Sequence, residues 1–87
     1  MHAVVVKVTI KDEEDANRRL REEVVPRVSQ APGFVTGYWT RKDTSGLSMV
    51  VFESEEEATA ASEMVPSLVP DTVALESVEV REVAAHA

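Results

Sequence analysis

Apolar residues recur along this chain first at every second position, then at every fourth, and the cycle then repeats. Residues 3–10 place Val4, Val6, Val8 and Ile10 on one face and Ala3, Val5, Lys7 and Thr9 on the other, which is the period of a strand. The second face is only partly polar, so this strand is expected near the middle of a sheet with both faces partly covered. From Asp12 the period lengthens, and Ala16, Leu20, Val24 and Val28 form one helical stripe. Asp12 is placed to cap the helix, and the acids 13–15 suit its first turn, where free N–H groups favour negative charge. Pro26 falls inside the stripe. It lacks a donor and crowds the preceding turn, which predicts a kink or break near Val24–Val25. Pro32-Gly33 ends the element.

The second half repeats the plan. Residues 34–41 and 47–53 read as strands joined by a turn over 42–46, a β-hairpin. Ser54 followed by Glu57 is a capping box. The helix behind it is expected to bury Ala58, Ala61, Met64, Val65 and Leu68, with its alanines letting it lie close to a sheet; Pro66 weakens it and Pro70 stops it. Residues 73–83 form a last strand, with Val78 and Val80 on one face and Ser77, Glu79 and Arg81 on the other, before a frayed tail over 84–87. This βαββαβ order predicts an α+β ferredoxin-like sandwich: one domain over 1–87, a four-stranded antiparallel sheet, and both helices on one face. The strands carry apolar residues on both faces, as in Val4 and Val5, Phe34 and Val35, or Met49 and Val50. The face without helices therefore needs a cover. A second copy is the simplest one, giving a homodimer joined through the sheets into an α/β barrel.

Composition narrows the picture. A domain of 87 residues buries only ~60–65% of the surface its unfolded chain exposes, so help from packing or a partner subunit is expected. Without Cys there is no disulfide, thiolate metal site or Cys nucleophile. The net charge is -7, and the tightest basic cluster, Arg18, Arg19 and Arg21, sits among acids. Neither nucleic acid nor an anionic membrane is an expected partner. No apolar run reaches the ~18–20 residues of a membrane span. The opening residues lack a basic leader, so the chain is expected in the cytoplasm.

The Val-rich opening strand, the long first helix with Leu20 and Val24-Val25-Pro26, and the corner Gln30-Ala31-Pro32-Gly33-Phe34 leading into Tyr38-Trp39 together resemble the dimeric α/β-barrel superfamily. Within it they are similar to the antibiotic-biosynthesis-monooxygenase-like domains. The resemblance covers nearly the whole chain and implies sheet-to-sheet pairing, often with a ligand cavity. The activities it implies are cofactor-free oxygenation of aromatic polyketides, haem degradation, lactone isomerisation or chlorite decomposition; many members have none known. The haem-degrading branch joins an Asn, a Trp and a His in one pocket. Here Asn17 is on the first helix, Trp39 is in the second strand, and both histidines are terminal, so those roles are not carried over.

Four residues are candidates for substrate binding. Trp39, the sole Trp, is either core or interface packing or the wall of a site. Tyr38, on the opposite face, has a hydroxyl able to donate to a carbonyl. Arg41 ends the strand on the Trp39 face and suits an enolate or carboxylate, or else a surface ion pair. Asn17 flanks the helical stripe, at a pocket edge or in solvent. His2 and His86 lie on neighbouring strand ends and make at best a weak metal pair. The acids Glu53, Glu55, Glu56 and Glu57 are explained by helix capping. No phosphate loop or nucleophilic triad is present. Neither metal nor cofactor is expected, and no catalytic residue is assigned. The expected function is cofactor-free oxidation or isomerisation of a small aromatic or enolisable compound. The alternative is a non-catalytic binding or stress-associated dimer.

Overall fold

The Val-rich opening segment occupies the interior of the sheet. In the computed structural model, which describes residues 1–87, β1 (His2–Ile10) hydrogen-bonds antiparallel to β3 (Ser45–Phe52) on one edge and β4 (Val73–Glu82) on the other. β2 (Phe34–Lys42) pairs with the free edge of β3, giving the order β2-β3-β1-β4. With its helices, this is the ferredoxin-like α+β arrangement. No helix is long and apolar enough to cross a membrane.

The first helical arm comprises α1 (Glu13–Arg19), a π-helical turn (Leu20–Val24) and α2 (Val25–Ser29). Asp12 caps α1, its carboxylate accepting from the Asp15 N–H at 3.1 Å. Pro26 does not break the arm. The chain widens by one residue just before it, where the Val25 N–H donates to the Leu20 carbonyl. Of the expected kink or break, the break does not occur: a π turn takes up the disturbed ladder ahead of the proline. Gly33 then turns the chain at φ 80°, a conformation that favours glycine.

The hairpin is tighter than its composition suggests. Lys42 already pairs with Ser45, so the turn is Asp43-Thr44 rather than 42–46. Asp43 adopts φ 55°, a left-handed conformation that Asp tolerates better than most residues. Gly46 consequently sits within β3 against Val8.

α3 (Glu55–Leu68) starts at Ser54, whose hydroxyl accepts from the Glu57 N–H and donates to the Glu57 carboxylate. The Glu57 side chain therefore returns to the Ser54 hydroxyl and not to its backbone N–H. The helix continues past Pro66 to Leu68. Ala58 is completely buried beneath it, together with Val4, Val6, Val50 and Phe52. The Phe52 ring meets Phe34 edge-on, with centroids 6.3 Å apart. Met64, expected inside, is 48% exposed. Only eight of the 87 residues are buried, so much of the apolar surface in the helix–sheet layer is not closed off.

The other sheet face bears no helix. By strand alternation and register it presents Tyr38, Leu47 and Met49, which are 66%, 50% and 47% exposed, with Val5 beside Met49 on β1.

Candidate functional site

Between the first helical arm, α3 and the inner sheet face lies an apolar cavity of about 200 Å³. The helical stripe expected from the sequence forms its roof, since Ala16, Leu20, Val24 and Val28 all line it. Alternation in β1 supplies Val8 and Ile10 from the sheet, and Leu68 and Pro70 close one end. Trp39 forms part of the wall, packed partly against the buried core. Its ring lies over Gly37, where an added Cβ would stand 2.8 Å from the indole edge. A larger residue there would displace the ring.

Few polar residues border this space: Asn17, Arg27, Thr40, Arg41 and Ser48, of which Thr40 stands opposite Leu47 on the outer sheet face by register. The Thr40 hydroxyl is committed to the Leu47 carbonyl at 2.6 Å. Arg41 Nη1 meets Glu13 Oε1 at 2.5 Å across the gap between β2 and α1. No Asp, Glu, His, Lys or Tyr lines the cavity. It can therefore hold an apolar body and donate hydrogen bonds to an oxygen, but it has no side chain suited to remove a proton.

One end of the cavity is held by a polar strap. Asp15 Oδ2 accepts from the Thr72 hydroxyl at 3.0 Å, and Arg19 Nε lies 3.2 Å from the same oxygen. The Thr72 carbonyl in turn accepts from the Lys11 N–H. Partial burial works to raise the Asp15 carboxyl, but hydrogen bonds from Arg18 and Thr72 and the charges of Arg19 and Arg18 outweigh it and hold the group below its ordinary value.

Of the four residues singled out in the sequence, Asn17, Trp39 and Arg41 border one space, while Tyr38 projects from the opposite sheet face. Arg27 and Glu13 were not anticipated. Arg27 follows Val24 by three positions, so it falls beside the apolar stripe and was legible in principle. The Glu13–Arg41 pair joins separate elements and leaves no local signal. His2 and His86 do not form a pair: His2 Nε2 lies 3.2 Å from Glu55 Oε2, its Nδ1 is buried without a partner, and His86 follows the end of β4. No three His, Cys, Asp or Glu side chains gather in metal-binding geometry. A second space of about 420 Å³, bordered by Pro32 and Glu57, has only eight lining residues and brings none of the candidate residues together. No protein-family profile matches this chain, and no curated protein compared with it matches either.

Proposed function

We propose that this chain binds a small apolar or aromatic compound in the cavity beneath its first helical arm. The observation that carries the reading is the cavity itself: about 200 Å³, walled by Trp39 and the Leu20–Val24 stripe, with Asn17 and Arg41 at its border. An apolar space with a few convergent polar groups is the usual form of a small-molecule site. If the compound is enolisable, the donors of Asn17, Trp39 and Arg41 suit its oxyanion, and cofactor-free oxidation or isomerisation is the matching chemistry. The lack of a titratable base in the lining favours the other reading, a non-catalytic binding or stress-associated protein. Kinship with the monooxygenase-like dimeric α/β-barrel domains is supported by the strand order and by the uncovered apolar sheet face. On that basis the protein works as a homodimer paired through Tyr38, Leu47 and Met49. The absence of Cys accords with a reducing, cytoplasmic setting.

Trp39 emission is the test of binding. Neutral planar aromatics, with absorption corrected, should quench or shift it saturably, and Trp39→Phe should weaken binding while the fold persists. Emission unaltered by the whole panel overturns the proposal. Oxygen uptake during turnover of an enolisable member of the panel separates enzyme from binder. For assembly, light scattering at micromolar concentration should give twice the chain mass, as expected of an interface burying at least about 1,200 Å². Met49→Glu should return the monomer.

A further inference from the structure

The charged residues that line the cavity are opposite in sign to the protein's excess. The chain has 16 acidic residues and a net charge of -7. An even share of those acids would put several in the cavity lining. None is there, whereas two arginines, Arg27 and Arg41, are. We propose that the ligand carries an anionic oxygen group, a carboxylate foremost, and that Glu13 occupies its place on Arg41 in the unliganded protein. This inference rests on the binding reading above and adds the ligand's chemical class.

Arg41 is held by the carboxylate of Glu13. A planar guanidinium is suited to a carboxylate in geometry as well as charge, so the chain displays at this point the kind of group the site accepts. The Glu13 side chain is 61% exposed and that of Arg41 37%. A pair this open contributes little stability, and an incoming carboxylate can displace Glu13 at small cost. Because Arg41 borders the cavity while reaching solvent, a head group placed there leaves its apolar body among Leu20, Val24 and Trp39. Arg27 has no ion-pair partner and is free to add charge. The cavity is smaller than the ~300–1,000 Å³ of drug-sized sites, which limits the body to a single or fused bicyclic ring. A small aromatic acid fits these constraints together.

The experiment compares 2-naphthoate with 2-naphthamide, which has nearly the same shape and no charge, by calorimetry at constant ionic strength. The acid should bind more tightly by up to about fivefold, the gain of a partly exposed ion pair. Arg41→Gln should bring the affinity for the acid down to that for the amide. Glu13→Gln should tighten the acid alone. Circular dichroism of both variants checks that the fold is retained. Equal affinity for acid and amide, unaffected by Arg41→Gln, overturns the anionic assignment while leaving the binding reading intact. Failure of both compounds to bind overturns the two together. Acid affinity unchanged in Glu13→Gln removes Glu13 from its assigned place.

Discussion

The two helical arms cover the same sheet and each contains an internal proline, yet one closes on the sheet and the other stands off it. α3 lies against β1, β3 and β4, whereas the first arm meets the sheet most closely through α2 on β2. The facing residues account for the difference. α3 presents Ala58 and Ala61, whose short side chains let backbone and sheet approach until Phe52 and Val4 are sealed. Beyond its buried Ala16, the first arm presents Leu20, Val24 and Val28, which border the cavity. Its π turn before Pro26 widens it at the same place. π turns are rare and are found disproportionately at functional sites. Side-chain size along each helix thus contributes to where the shared apolar face of the sheet becomes core, as at Ala16 and Ala58, and where it borders the cavity.

The sharpest way to break this comparison is to truncate one large residue under each arm. Phe52→Ala should cost about 3–5 kcal/mol, as for a fully buried ring that leaves a void. Leu20→Ala should fall at or below the ~2 kcal/mol lower end for Leu truncations, because its side chain already faces empty space and has fewer contacts to lose. Urea denaturation of both variants reads the difference. Equal losses would mean that the space under the first arm is as well packed as that under α3.

Enlarging residues should give opposite signs. Ala58→Leu has nowhere to go and should destabilise by about 1–3 kcal/mol. Leu20→Phe grows into the cavity, so stability should hold or rise by up to ~2 kcal/mol, the range for cavity filling. The same substitution should abolish the response of Trp39 to aromatic ligands. A destabilising Leu20→Phe would show that the cavity cannot take an added ring.

Much of this layout was legible in the chain. Period-two and period-four patterns placed the four strands and both arms, and apolar residues on both strand faces, Met49 and Val50 among them, anticipated the exposed apolar groups of the helix-free face. Periodicity could assign Val4 and Val8 to one face but could not tell that Val4 is sealed while Val8 is only half-buried, since that depends on the height of the helix above each. It likewise gave Asn17, Trp39 and Arg41 as candidates without joining them. What joins them is the sheet register and the Glu13–Arg41 contact, both products of tertiary packing. The two-residue hairpin was hidden because Asp43 adopts a left-handed conformation that composition only weakly favours. Pro26 marked the right place for an irregularity in the first arm but not its form, because a proline states which hydrogen bond is lost and not how the helix re-forms.

The smallest effect belongs to the strap that fixes the first arm at the cavity's end. Asp15 accepts from Thr72 and pairs with Arg18 and Arg19, and its carboxyl is held below the ordinary value of 3.8. A carboxyl depressed on folding stabilises the folded state only while it is ionised. Its contribution is therefore complete above the ordinary value and is lost as pH falls through the lower folded one. Asp15→Asn should be slightly less stable than the parent at neutral pH, and the gap should close below about pH 4 as the parent's own Asp15 takes up its proton. Added salt should narrow the gap as well, because the arginine partners are partly exposed and their charges are screened. Thr72→Val keeps the shape and removes one donor, so it should show a smaller gap of the same sign. Thermal midpoints from pH 7 down to pH 3 read all three proteins. A gap that stays constant over that range would show that Asp15 acts through packing rather than charge. The strap would then hold the arm over the cavity at any pH, leaving the π turn and its bulky stripe as the features that set its height.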